Sequence, residues 1–170
     1  MTGLKSAGLV CLIAAGLWIL AAANIAIAQN SVFLSTNLES SAASYMIQFT
    51  PSVGGRVDRI QIQFPTGALA GNVGLGSLTV RGRDVRDPTA TVDPGDLLLI
   101  DFRRTNFRAG WPVVVEILGV INPAAGPAHQ VAVSLLESGA LVEDIGSLPA
   151  NIIAISGGGG GGDITAVNDF

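Results

Sequence analysis

The chain has 170 residues, of which 49% are apolar and 13% charged, and its formal net charge is −4 at pH 7. This length fits one domain that buries roughly two thirds of its unfolded surface. The net acidity argues against a nucleic-acid partner, which needs a basic surface. A single cysteine, Cys11, excludes a scaffold stapled by disulfides within the chain.

An apolar run follows Lys5 and extends from Ala7 to Ala28, where it ends in the small-x-small sequence A-I-A. One positive charge, an apolar stretch and such a site are typical of a secretory signal peptide. We therefore predict a signal helix over residues 1–28 and a protein that is secreted, surface-attached or periplasmic. The alternative is an uncleaved anchor, because 22 residues are long enough to span a membrane.

Cleavage after Ala28 removes Lys5 and Cys11, the only lysine and the only cysteine of the chain. The remaining mature chain has eight arginines against 13 acids, a net charge of −5. We expect no membrane partner for this acidic chain once the signal is removed, whereas a protein partner or self-association is compatible with it.

Short stretches of the mature chain have the alternation of β-strands and are separated by turn signals. Arg56 to Phe64 alternates most clearly, with apolar side chains on one face and polar ones on the other. Further predicted strands are Ser31–Thr36, Ser44–Thr50, Ser77–Arg81, Leu97–Arg103, His129–Leu136, Ala140–Ile145 and Ala150–Ser156.

The strand around which the others are arranged is predicted from Trp111 to Pro123, W-P-V-V-V-E-I-L-G-V-I-N-P. Consecutive valines favour a strand, and only Glu116 interrupts the apolar run, so we expect a central position in a sheet. Prolines stiffen the turn at Asn122–Pro127, and we predict a hairpin to the strand His129–Leu136.

No stretch after the signal has a sustained helical period, so the fold is predicted to be all-β. Eight or nine short strands at intervals of about 8–12 residues indicate a sandwich or a barrel. The segment Asp84 to Asp96 is predicted to be a polar connection without a strand of its own.

Six consecutive glycines, residues 157–162, precede a C-terminal tail, Asp163–Phe170, with the sequence D-I-T-A-V-N-D-F. Polyglycine is costly to order, so these residues are predicted to be a flexible linker. Three interpretations of the tail are open: a disordered tail, a β segment at Ile164–Val167 added to a neighbouring subunit, or a gene truncated before its next module. The linker and tail resemble glycine-rich joints of bacterial and phage fibre proteins.

The mature chain has no residue set that points to catalysis. His129 is its only histidine, and the sequence G-L-G-S-L at 74–78 lacks the second glycine of a nucleophile elbow. A hydrolase using His129 is therefore the weakest hypothesis, and a structural or surface histidine the preferred one. The mature chain has no set of cysteines or histidines that could bind zinc. The polyglycine segment lacks the Lys-Ser/Thr sequence of a phosphate-binding loop. We predict a protein that is not an enzyme, and assign no catalytic, cofactor or metal residue.

Charged residues of both signs alternate between Arg81 and Arg108. Aspartates in loops can bind calcium, and arginines can bind acidic glycans or a partner's carboxylates. Because opposite charges are interleaved, we predict that they pair with one another. Trp111 alone does not make a sugar platform. The residues concerned are Asp84, Asp87, Asp93, Asp96 and Asp101, and Arg81, Arg83, Arg86, Arg103, Arg104 and Arg108.

The sequences I-Q-I-Q-F-P, R-A-G-W-P-V-V-V-E-I, I-N-P-A-A-G and V-A-V-S-L occur in this order between Tyr45 and Leu136. This succession resembles secreted bacterial and archaeal immunoglobulin-like domains. The resemblance implies an immunoglobulin-like antiparallel β-sandwich over residues 29–156. It also implies a non-catalytic structural or interaction module, such as a cell-surface or fibre subunit. The alternative function is an extracellular calcium- or glycan-binding module.

Overall fold

The computed structural model describes residues 30–125 and 129–152. The predicted signal helix at 1–28, the linker at 157–162 and the tail at 163–170 lie outside the described residues. Within the described ranges, no helix has the length and hydropathy to cross a membrane. Ten strands are found there: β1 Ser31–Leu34, β2 Ala42–Phe49, β3 Gly55–Gln63, β4 Gly74–Val80, β5 Arg83–Asp84, β6 Thr89–Asp93, β7 Leu97–Phe107, β8 Val113–Ile121, β9 His129–Glu137 and β10 Ala140–Ala150.

The strands form two antiparallel sheets of five, in the orders β1-β2-β8-β4-β5 and β10-β9-β3-β7-β6. Strand β8 lies at the centre of the first sheet, as its three valines predicted. Equating β1, β2, β8 and β4 with strands A, B, E and D, and β3, β9 and β10 with C, F and G, gives the immunoglobulin order. The prediction of an all-β, immunoglobulin-like antiparallel sandwich is confirmed, with ten strands in place of eight or nine.

The core lies between the two sheets and is supplied by alternate residues of each strand. On β2, Tyr45, Ile47 and Phe49 are fully buried, and the residues between them face outward. The ring of Tyr45 meets that of Phe64 edge-on, with 5.6 Å between centroids. Each fully buried large apolar side chain stabilises the fold by about 1.5–3 kcal/mol.

Asn122 follows β8 and is the buried polar residue of this core, 1% exposed. Its Oδ1 accepts a 2.9 Å hydrogen bond from the Tyr45 hydroxyl. Its Nδ2 donates to the carbonyl oxygens of Thr36 and Leu38 at 2.9 and 2.7 Å. One amide group therefore joins the end of β8 to the loop between β1 and β2 and to the core.

Substitution of Gly119 by alanine is expected to destabilise the fold by about 2 kcal/mol or more. Gly119 has φ +75°, and an added Cβ would meet the carbonyl oxygen of Asn72, which belongs to the loop before β4. Urea denaturation measures the loss. Gly74→Ala is the matched control, because an added Cβ there meets nothing within 4 Å. An equal loss in both variants would contradict the clash inferred between a Cβ at residue 119 and the carbonyl oxygen of Asn72.

Stability is expected to fall as the pH rises from about 10 towards 12. Burial raises the pKa of Tyr45 from 10.0 to about 12, so the unfolded chain releases this proton first. The stabilising contribution is therefore complete below pH 10 and is lost as the pH passes the folded pKa. Tyr45 is the only tyrosine, so phenolate absorbance reports it alone. A folded-state midpoint near 10 would contradict the prediction, and urea-unfolded chain gives the reference value.

Three sequence predictions about connections are wrong. Strands β8 and β9 belong to different sheets, so they do not form a hairpin, and the chain crosses the sandwich between them. The predicted connection Asp84–Asp96 contains β6, which pairs along Leu97 to Asp101 of β7. Ala140–Ala150 is one strand with two register shifts, and Ala150 ends it, so no second strand starts there. Residues 153–156 of that predicted strand lie outside the described residues.

Candidate functional site, an arginine-lined slot

The candidate site lies beyond the end of β6, the edge strand of the second sheet. Strand β6 pairs with β7 only from Leu97 to Asp101, while β7 continues to Phe107. Beyond Asp101, the edge of β7 that faces away from β3 has no strand partner among the described residues. Strand β5 and the residues after it, at the edge of the first sheet, flank this free part of β7. We call the space between them the arginine slot.

The slot is an open pocket of about 390 Å³, a volume within the range of ligand sites. Four exposed arginines and one aspartate line it, so its charge is opposite in sign to that of the whole chain. The lining residues are Val80, Arg83, Asp84, Val85, Arg86, Arg103, Arg104, Thr105 and Trp111.

Two turns place further arginines beside Trp111 at one end of the slot. Arg81 and Gly82 both have positive φ and form the two-residue loop between β4 and β5, the geometry of a type I′ turn. The backbone N–H of Arg81 donates to the carbonyl of Pro112 at 2.7 Å. The guanidinium carbons of Arg81 and Arg108 lie 5.3 and 5.2 Å from the Trp111 ring centroid, within cation–π range. The ring of Trp111 is therefore in contact with two guanidinium groups.

The predicted pairing of these arginines with the interleaved aspartates is wrong. Among the described residues, only Arg104 of the six has a carboxylate within 4.0 Å, and that partner is Glu137 of β9, at 3.3 Å. The register of the sheet is the physical reason, because Asp101 lies opposite Arg59 of β3 and binds it at 2.6 and 3.0 Å. This hydrogen bond raises the pKa of Arg59. Three arginines of the slot, Arg83, Arg86 and Arg103, are therefore left without a carboxylate partner among the described residues.

A second depression lies on the outer face of the second sheet, and the charged groups that line it have partners within the chain. It has a volume of about 470 Å³ and is lined in part by Asp58, Arg59 and Asp101. Arg59 and Asp101 form the ion pair described above. The carboxylate of Asp58 accepts from the backbone N–H of Ser138 at 2.9 and 3.0 Å. These polar groups are satisfied within the chain, so the arginine slot is the stronger candidate.

The five aspartates considered for calcium are not gathered into one site. No group of three potential metal-ligating side chains occurs within residues 30–125 and 129–152. Asp96 instead accepts hydrogen bonds from the backbone N–H groups of Gly67 and Leu69, at 2.8 and 3.0 Å. Asp101 is held by Arg59. The geometry therefore favours anion binding by the arginines over calcium binding by the aspartates.

His129 lies at the start of β9, remote from the slot in the sheet order. Its Nε2 is 2.8 Å from the carbonyl oxygen of Ala124. No serine or carboxylate of the described chain is hydrogen bonded to its ring. Ser77, the serine of the incomplete elbow, lies in β4 and donates to Glu116 at 3.3 Å. The structure brings neither residue into a nucleophile–base arrangement.

The outer face of the first sheet carries exposed apolar side chains. Phe33, Met46 and Leu118 are 52%, 43% and 41% exposed, and Phe33 lies opposite Met46 in the register. Glu116 lies next to Met46 and carries a carboxylate into the middle of this face. The apolar surface is therefore interrupted by a charged group.

No protein-family model and no curated relative matches the chain. Similar solved structures include BslA, a bacterial hydrophobin, with 14% identity, a TM-score of 0.46, and coverage of 75% of this chain and 96% of that chain. The C-terminal fragment of the major pilin GBS80 of Streptococcus agalactiae has 14% identity, a TM-score of 0.40, and coverage of 73% and 53%.

A collagen-binding domain of a Staphylococcus aureus adhesin has 11% identity, a TM-score of 0.35, and coverage of 73% and 99%. A pilin and an adhesin are of the surface and fibre type that the sequence resembles. Likenesses at these values do not show what this chain binds.

Proposed function

We propose that the chain is a secreted, non-catalytic interaction module of a cell surface or fibre, and that the arginine slot binds carboxylate groups of its partner. The export signal predicted at residues 1–28 supports the location. The sandwich supplies a rigid frame, and strands β5, β6 and β7, which lie outside the seven-strand immunoglobulin order, supply the binding surface.

The observation that carries the proposal is the unpaired charge of the slot. Arg83, Arg86 and Arg103 line it with no carboxylate within 4.0 Å among the described residues. Guanidinium groups match the geometry of carboxylates and can donate two parallel hydrogen bonds to one of them. Charges that are not neutralised within the fold remain available for a ligand of opposite sign.

The second candidate function is binding of an acidic glycan, favoured by the same arginines. The ring of Trp111 is already engaged by Arg81 and Arg108, so glycan binding here would depend on uronate carboxylates rather than on sugar stacking. Calcium binding, the other part of the expected alternative, has no supporting cluster in the described residues.

Calorimetric titration of the chain Gln29–Ser156, which keeps all the described strands and lacks the acidic tail, tests the proposal. Polyglutamate is expected to bind and to bind several-fold more weakly at 0.5 M salt than at 0.05 M, because the Debye length shortens. An uncharged polymer of the same length, poly(hydroxyethylglutamine), is the control and is expected to give no binding heat. Hyaluronate separates the two ligand classes. Absence of binding for both polyanions at low salt would reject the carboxylate site.

A further inference from the structure

We propose that the arginine slot of one copy binds the acidic tail, Asp163–Phe170, of a second copy as an added β-strand. This inference rests on the proposed function and names the partner of the same site. The occupant follows from three properties of the chain: the free edge of β7, the charge of the tail, and the distance between the tail and its own slot.

The free edge of β7 can accept a strand. After Asp101 its outward backbone groups have no strand partner among the described residues, and such an edge pairs readily with an extended peptide. Arginines stand at both ends of this edge, with Arg103 and Arg104 at one end and Arg108 at the other. An incoming strand would therefore meet cations at two points about five residues apart.

The tail has the matching pattern. Its apolar and β-branched centre, I-T-A-V, favours an extended strand. Asp163 and Asp169 flank that centre and are separated by five residues, a spacing close to that of the arginines on the edge. No lysine or arginine occurs after Arg108, so the tail carries negative charges alone. Charge and spacing are both complementary to the slot.

The reach of the chain favours a second copy over the tail's own slot. Ala150 ends β10 beside His129, at the opposite end of the sheet from the slot, which lies about 30 Å further along the strands. Ile152 and Asp163 are 11 residues apart, a stretch that spans at most about 36–40 Å. A glycine-rich chain of this length has an r.m.s. span of about 17–20 Å. Binding of the tail in its own slot would require residues 152–163 to be almost fully extended. Binding in a neighbour's slot would not require this extension.

The test uses the chain ending at Ser156, which keeps all the described strands, and a synthetic peptide of Gly160–Phe170 amidated at its C terminus. Amidation of the C terminus together with acetylation of the N terminus leaves Asp163 and Asp169 as the peptide's charges. Calorimetry is expected to show saturable binding that weakens at least about tenfold for the peptide with Asp163→Asn and Asp169→Asn. Arg103→Glu in the protein is expected to have a similar effect, and the peptide with Asp163→Arg and Asp169→Arg is expected to bind this variant better than the original peptide does.

Light scattering separates the possible arrangements. The mature chain Gln29–Phe170 is expected to gain mass with concentration, and the chain ending at Ser156 is expected to remain monomeric. A mature chain that is monomeric while its slot rejects added peptide would overturn the second-copy arrangement. Binding of polyglutamate without binding of the tail peptide would overturn this inference and leave the proposed function intact. Failure of both ligands would overturn both.

Discussion

Replacing Arg103 by glutamate in the chain Gln29–Ser156 is expected to weaken its binding of polyglutamate at least about tenfold, equivalent to about 1.4 kcal/mol. The substitution removes one unpaired cation from the slot and puts a carboxylate beside Asp84, which already lines it. Like charges at this range oppose a polyanion, and the remaining arginines cannot compensate for the reversed one. Calorimetry at 0.05 M salt measures the change.

Arg56→Glu is the matched control for this experiment. Arg56 is an exposed arginine of β3 that does not line the slot, and its reversal changes the net charge of the chain by the same amount. We expect a change of less than about threefold for this variant, because the two share only the long-range charge effect. Equal weakening by both variants would show that binding depends on net charge alone, and the slot would lose its role.

Replacing Asn122 by alanine is expected to lower the free energy of unfolding by about 3 kcal/mol. The change leaves the buried hydroxyl of Tyr45 without its acceptor and the carbonyl oxygens of Thr36 and Leu38 without their donor. Buried polar groups that lose their partners are costly, and the loop between β1 and β2 would keep only its backbone hydrogen bonds to residue 122. Urea denaturation followed by circular dichroism measures the difference.

Asn37→Ala is the matched control, because it makes the same asparagine-to-alanine change in the loop between β1 and β2. The side chain of Asn37 is exposed, and we expect its removal to change stability by less than about 0.5 kcal/mol. Tyr45→Phe separates the contributions, since it removes one of the three side-chain hydrogen bonds of Asn122 and should cost less than Asn122→Ala. A loss for Asn122→Ala no larger than that for Asn37→Ala would contradict the proposed role of this amide.

The strands were predictable where burial alternates along the chain. Ile60 and Ile62 of β3 and Phe64 just after it are buried, and their period of two residues reveals such a strand directly. The central place of β8 followed from valines that suit a strand, combined with a nearly unbroken apolar run. Local preferences and long-range packing agree in these elements, so the sequence alone was sufficient.

The connections were less predictable because a turn does not specify the sheet that follows it. The prolines of Asn122–Pro127 are compatible with a hairpin and equally with a crossing between two sheets, and β8 and β9 use the crossing. Strand β6, Thr89–Asp93, lies at a sheet edge with exposed residues, so it lacks the apolar alternation of a half-buried strand. Both errors arise where pairing between distant segments decides the structure.

The slot itself required the three-dimensional register. The sequence showed arginines and aspartates in alternation, which predicted neutralisation between neighbours in the chain. In the sheet, Asp101 binds Arg59, which lies 42 residues earlier in the chain. Asp96 accepts hydrogen bonds from the backbone of the loop after β3. Neither contact can be inferred from local spacing, and each one removes a carboxylate that would have neutralised the slot.

The central claim is that carboxylate ligands bind at the arginine slot, and NMR titration of the chain Gln29–Ser156 with tetraglutamate tests it most directly. Trp111 is the only tryptophan left after the predicted signal, so one indole N–H signal reports the end of the slot. We expect this signal and the Nε–H signals of Arg83 and Arg103 to shift and saturate together, while that of Arg56 stays unchanged. Saturable binding that leaves the Trp111 and Arg103 signals in place would contradict the account.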